Sequence, residues 1–291
     1  MYREAIKKNR HFTWPLLSGI KYYEREEIVP GIATFIMINE DGWALTCRHV
    51  AEEVMRFQDI SQKYPAIKKE LATAKTKNER KKIEKKYQLA KNTIVLAKHI
   101  FPINAAGHID IKIIIHPHLD LALLNFKNVK TKLEHYPVFA KNDPEQGQSL
   151  CRLGFSFPEF DCLQYNEEKT EIIFNEKGRK VTPIFPLDGI VTRGIVDERG
   201  VVSMFELSSP GLRGQSGGPL FNKEGYVYGL QSQTKHVDLA FDINMKVMRA
   251  GEVKAANAYS FLHLGVAITV SEIKKFLQEH QVSFLEANED N

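Results

Sequence analysis

A serine hydroxyl becomes a useful nucleophile only when a base lies within hydrogen-bond reach and a third group orients that base. The run Gly211-Leu212-Arg213-Gly214-Gln215-Ser216-Gly217-Gly218-Pro219-Leu220 presents such a serine between glycines. Glycines let the backbone turn tightly and aim its N–H groups at a developing oxyanion, a task that falls here to Gly214 and Ser216. The same composition also suits a plain surface turn, so the decision rests on finding the partners. His49 follows the second strand of a hairpin signal, and Asp120 heads the apolar run Leu121-Ala122-Leu123-Leu124. A lone histidine there is ordinarily structural. An aspartate at the head of an apolar strand needs a partner, because an unpaired buried carboxylate costs several kcal/mol. His49, Asp120 and Ser216 in that order answer each other's needs.

The elements that must position these residues are mostly strands. Gly31 to Thr46 gives two apolar runs around Asn39-Glu40-Asp41-Gly42, a β-hairpin pattern. Thr93 to Phe126 contains three strand-like runs, and Gln148 to Phe155 crosses into a second β region. Short strands at Gly189–Val196 and 201–207 lead to the serine loop, a hairpin around Lys223-Glu224-Gly225 follows it, and Leu262–Thr269 is a closing strand. Ser271 is the expected N-cap of an amphipathic terminal helix with Ile273, Phe276 and Leu277 on one face. The last residues are acidic and expected to fray.

The chain has 291 residues, 43% of them apolar, which is ordinary for one large or two modest globular domains. No apolar run reaches the length of a membrane span, and residues 1–27 lack a secretory signal's continuous apolar region. The expected location is cytoplasmic. Cys47, Cys151 and Cys162, an odd number at unrelated spacings, read as reduced thiols rather than a disulfide framework. The net charge of +4 is unevenly placed. Residues 61–92 carry eleven Lys/Arg against three Asp/Glu, leaving 29 against 33 elsewhere. This segment is helix-forming and is read as a basic helical insertion, either a solvated face or a surface for nucleic acid or an acidic regulatory partner. His116 and His118, with His99 or His108, match no familiar ligand spacing; no metal and no cofactor is expected.

The hairpin leading to His49, the strand after Asp120, the loop Gly214-Gln215-Ser216-Gly217-Gly218-Pro219 and the strand Gly265-Val266-Ala267-Ile268 resemble, in this order, the trypsin-like (chymotrypsin-fold) serine peptidases. The pattern is nearest to intracellular or HtrA-type bacterial members, here without room for a PDZ module. The resemblance implies an all-β fold of two antiparallel six-stranded barrels with a helical insertion and a C-terminal helix. The boundaries expected are an extension at 1–27, a first barrel at 28–142 holding the insertion 61–92, a second at 143–270 with insertions 157–188 and 236–260, and a helix and tail at 271–291.

By the same resemblance Ser216 attacks the peptide carbonyl, His49 carries the proton, Asp120 orients His49, and the N–H groups of Gly214 and Ser216 form the oxyanion hole. Gln215 stands where secreted animal relatives carry an aspartate, which argues against activation by an N-terminal salt bridge. Pro210, Gln231, Ser232 and Gln233 fall at pocket positions, and neither an acidic pocket base nor a glutamate-reading histidine is among them. A small or uncharged residue before the cut is the expectation. The function implied is a serine endopeptidase regulated by its insertions. The alternative is a latent or inactive protease-fold adaptor that binds through 61–92.

Overall fold

The computed structural model describes residues 2–103, 110–127, 129–175, 182–249 and 252–288. In the first half, α1 (Arg3–Arg10) precedes β1 (Thr13–Tyr22), β2 (Ile28–Met37) and β3 (Trp43–Thr46). Two helices follow, α2 (Arg48–Thr73) and α3 (Lys77–Lys86), then β4 (Ile94–Ile100), β5 (Asp110–Ile115) and β6 (Ala122–Lys127). These strands form one antiparallel sheet in the order β4-β1-β2-β3-β6-β5. Residues 13–22, assigned above to an extension, are therefore a central strand. Both faces of β1 are buried along Leu16–Lys21, so its sequence lacks the alternation that marks a half-exposed strand.

The second half holds β7 (Val138–Phe139), β8 (Ser149–Arg152), β9 (Leu163–Asn166), β10 (Glu171–Phe174), β11 (Leu187–Val196), β12 (Val202–Leu207), β13 (Pro219–Phe221), β14 (Val227–Arg249), β15 (Glu252–Thr269), α4 (Val270–Glu279) and β16 (Leu285–Glu286). Strands β13, β8, β11, β12, β15 and β14 pair in series, and a β13–β14 pairing closes the ring. This is the second six-stranded barrel expected from sequence, extended by β7 and β16 at one edge. The β9–β10 hairpin stands apart as a two-stranded sheet within 157–188. The described residues of segment 236–260 continue β14 and β15 as a long ribbon that exposes Leu239, Phe241, Met245, Met248 and Val253.

The core spans both halves, joining Phe35, Leu45, Leu123 and Phe126 to Leu150, Phe205, Leu230 and Ile268. Helix α1 adds a clamp: it follows no strand of its own barrel but lays Ala5 on Cys151, Leu153 and Phe221 of the other, and Asn9 donates to the Gly225 carbonyl at 3.1 Å.

The helical region begins at Arg48 rather than at Ser61, so the long insertion helix grows directly out of the histidine's own first turn. Helix α2 is tied to β4 by Ser61, whose hydroxyl donates to Ala97 O at 2.8 Å and accepts from Ala97 N at 2.9 Å. A capping box of Thr76 and Glu79 starts α3. Part of its surplus charge is met within the hairpin, Arg80 by Glu84 at 3.0 Å and Lys86 by Glu70 at 2.9 Å, while Lys77, Lys81, Lys82 and Lys85 stay exposed.

Ser271 lies within α4 instead of capping it; the Asp143 carboxylate accepts its N–H and hydroxyl at 2.9 and 2.6 Å. The buried face of α4 is the expected one, with Ile273, Phe276 and Leu277. All three cysteines are buried thiols that form no disulfide among the described residues. Among the described histidines, His99 stacks on Phe57 and the His116 ring accepts backbone N–H groups from His118 and Leu119, so they form no common ligand set; His108 lies outside the described residues. No described helix is long and apolar enough to cross a membrane.

Candidate active site

Asp120 sits in the bend before β6, at the N-terminus of α2. Cys47, the N-cap, supplies no side-chain cap, and the Asp120 carboxylate takes that place by accepting the His49 N–H at 3.0 Å. A carboxylate there also answers the positive end of the helix dipole. The same carboxylate lies 2.9 and 3.0 Å from His49 Nδ1. One contact orients the ring and the other fixes the helix that carries it. Arg48 secures the turn further, donating to the carbonyls of His116 and Pro117 and to Glu52.

Asp120 has a third partner that sequence reasoning placed elsewhere. Ser232, expected in the pocket wall, donates its hydroxyl to Asp120 Oδ2 at 2.5 Å. It occupies a bulge: Gln231 faces Ala267 while Gln233 faces Val266, so Ser232 is the extra residue and its side chain is re-aimed. A signal existed in sequence only as a serine among pocket candidates; the bulge is a matter of pairing register. Burial raises the Asp120 carboxyl, but the hydrogen bonds from His49 and Ser232 outweigh it and hold the group below the ordinary carboxylate range. The bond to Asp120 in turn raises His49 above the ordinary imidazole range, against the effect of burial.

The Ser216 hydroxyl donates to the Ser232 carbonyl at 3.2 Å. Among the described residues no hydrogen bond joins it to His49, so Ser232 is the residue that touches both ends of the site. Turning the partly buried Ser216 about χ1 is a change between staggered rotamers.

The loop around Ser216 is held from the other barrel by Thr34 of β2. Its N–H donates to Ser216 O at 3.0 Å, its hydroxyl donates to Gly214 O at 2.7 Å, and the Thr34 hydroxyl oxygen itself accepts from Phe155 N at 3.2 Å. Gly214 and Gly217 adopt φ of +98° and +86°, and a Cβ would stand 2.2 Å from Phe155 O and 2.1 Å from Thr34 O respectively. Only glycine satisfies both the backbone angle and the close approach. Among the described residues neither the Gly214 nor the Ser216 N–H is given to a protein acceptor.

Gln215 is fully buried, its amide accepting from Leu212 N at 3.0 Å and donating to Phe185 O at 2.8 Å. A neutral side chain with both ends satisfied thus orders the loop where a buried aspartate would need a cation. Of the other pocket candidates, Pro210 offers its carbonyl to Arg152, and Gln231 is buried with Nε2 donating to Gln233 O at 2.8 Å. Thr34 and Arg152 carried no legible signal in the sequence, since each acts from a strand remote from the loop it holds.

No curated protein matches the sequence significantly. A family model described as a trypsin-like peptidase domain matches residues 33–230, from β2 through the serine loop to the start of β14. Covering well over half the chain, the match identifies this protein as a member of the trypsin-like peptidase family, whose substrates are proteins or peptides.

Proposed function

We propose that the protein is a serine endopeptidase working through His49, Asp120 and Ser216 and an acyl-enzyme intermediate. The observation that carries this reading is the Asp120 carboxylate bonded at once to the ring and the backbone of His49, beside a serine on a glycine loop with unspent N–H groups. With substrate bound, the Ser216 hydroxyl turns to His49 Nε2 and attacks the peptide carbonyl as His49 takes its proton. The oxyanion is received by the N–H groups of Gly214 and Ser216. Collapse expels the amine, which leaves with the proton from His49. A water molecule then attacks the acyl group with His49 again as base, releasing the new carboxyl terminus and restoring Ser216.

Asp120 stays ionised throughout: it keeps the imidazole in the Nδ1–H tautomer and stabilises the imidazolium. With the backbone of Gln231 paired to Gly217 and Gly218, the stretch Ser232–Gln233 beside it offers backbone groups to a substrate strand. Control through the α2–α3 hairpin and a cytoplasmic location belong to the same reading. The barrel division at about residue 142 and a separate terminal unit of helix and tail at 271–291 do too.

The test is labelling with a fluorophosphonate read by intact mass. Stoichiometric modification that disappears in Ser216→Ala and His49→Ala supports the reading; modification that survives Ser216→Ala removes Ser216 from the mechanism.

A further inference from the structure

Away from the His49–Asp120–Ser216 cluster, the least accommodated group in the described protein is the guanidinium of Arg152. Along β8 the side chains alternate, Leu150 into the shared core and Cys151 and Leu153 under α1, so Arg152 points with Leu150 into the second barrel. It is fully buried, at 0% exposure. Charge withdrawn from water is strongly unfavourable unless it is paired. The protein pairs its other deeply buried charge of this barrel: Glu206 receives Arg193 at 2.6 and 2.9 Å and Lys235 at 3.1 Å. Arg152 has no such counterpart. Nη1 donates to Pro210 O at 2.5 Å and Nη2 to Ser209 O at 3.3 Å, Nε has no partner, and among the described residues it joins no carboxylate. Burial alone brings the guanidinium down to about 10, which leaves it charged at neutral pH.

Its position gives the missing charge a source. Ser209 and Pro210 lead straight into Gly211–Ser216, so the guanidinium lies under the segment that ends in the nucleophile. Gly265 of β15 makes the space, since a Cβ there would stand 2.2 Å from Nη2 and 2.7 Å from Ser209 O. The facing strand closes on this segment: Thr234 donates to Gly211 O at 2.6 Å and the Gln231 amide lies against Gly211. Two more buried polar atoms of these same segments lack partners, Ser209 Oγ and Gln231 Oε1. An N–H, a hydroxyl and an amide group whose N and O ends are interchangeable by rotation are what a carboxylate is held by.

In the serine-peptidase reading above, the side chain on the acyl side of the scissile bond enters between Pro210–Leu212 and Gln231–Thr234, segments that in this structure close on each other over the buried Arg152. Resting on that reading, we propose that the substrate side chain parts these segments, that the Arg152 guanidinium then forms the floor of the pocket, and that the enzyme cleaves after an acidic residue. The preference replaces the small or uncharged one suggested by the pocket positions in sequence, because the charge comes from β8, outside the serine loop.

The experiment compares peptides identical except for Glu or Gln, and Asp or Asn, before the scissile bond. Turnover is measured with the wild-type protein. Binding of the corresponding product peptides ending in Glu or Gln is measured by calorimetry with Ser216→Ala, which needs no catalysis. The expected result is at least tenfold in favour of the acid in both, erased by Arg152→Met. Equal treatment of Glu and Gln, or a preference that survives Arg152→Met, overturns the proposal. Should Arg152→Met fail to fold, the Glu-to-Gln ratio with Arg152 in place decides alone. Charge-selective binding without fluorophosphonate labelling would sink the triad and leave the pocket; labelling with charge-blind binding and turnover would do the reverse.

Discussion

Replacing Ser232 by alanine removes one hydrogen bond and leaves the backbone of the site in place. The carboxylate of Asp120 then keeps its contacts at 2.9 to 3.0 Å with the ring and N–H of His49 but loses the 2.5 Å bond from Ser232 Oγ. A hydrogen bond to a charged group contributes about 1.5 to 3 kcal/mol net. If all of it bears on holding Asp120 against the imidazolium in the transition state, kcat falls by roughly 10- to 150-fold, at about 1.4 kcal/mol per factor of ten. That is well short of the roughly 10⁴-fold expected when the aspartate itself becomes an amide. KM should stay within about twofold, since the hydroxyl faces Asp120 and the Ser232 carbonyl survives the change. The assay is steady-state hydrolysis of a peptide substrate by wild type, Ser232→Ala and Asp120→Asn, with thermal melting as a check on folding. A rise in KM at constant kcat would show that the hydroxyl serves the substrate, and unchanged kinetics would show that the bond has no catalytic weight.

The remaining predictions concern protonation and packing. Asp120 raises His49, and the proposed mechanism uses the neutral ring as base, so kcat/KM should fall with decreasing pH through an inflection above the ordinary histidine value; Asp120→Asn should move it lower, and an inflection below that value in the wild type would contradict the proposal. By linkage, the His49–Asp120 contact adds stability that is present below the unfolded histidine value and fades as pH rises through the folded one. His99, pushed down to about 4 by burial, acts oppositely: it is neutral when folded, so stability should drop between about pH 6.5 and 4, and urea midpoints should show a shallower decline in His99→Leu. Gly217→Ala forces a Cβ to 2.1 Å from Thr34 O at φ +86°, so a lowered melting temperature with loss of fluorophosphonate labelling is expected, the left-handed backbone alone costing about 1 to 3 kcal/mol. Thr76→Ala should remove about 1 kcal/mol from α3 locally, without touching that labelling, as amide exchange in 77–86 would reveal.

What the sequence settled by itself are features written in local chemistry. Glycines at 214 and 217 announce a tight turn, apolar runs parted by turn residues announce strands, and a charged, glycine-free stretch announces helix. His49, Asp120 and Ser216 were nameable because each breaks its local pattern: a histidine ending a strand, an acid heading an apolar run, a serine among glycines. Features set by pairing between distant segments were not legible. The sequence could not place 13–22 at the centre of a sheet, since a strand buried on both faces carries no alternation. Nor could it turn Ser232 from pocket wall to partner of Asp120, because a bulge is a mismatch between two strands and neither shows it alone. Thr34 and Arg152 act 180 and about 60 residues from the loop atoms they hold. Charge is local in sequence but its pairing is tertiary, and the fold alone shows that Arg152 is buried without an acidic partner among the described residues.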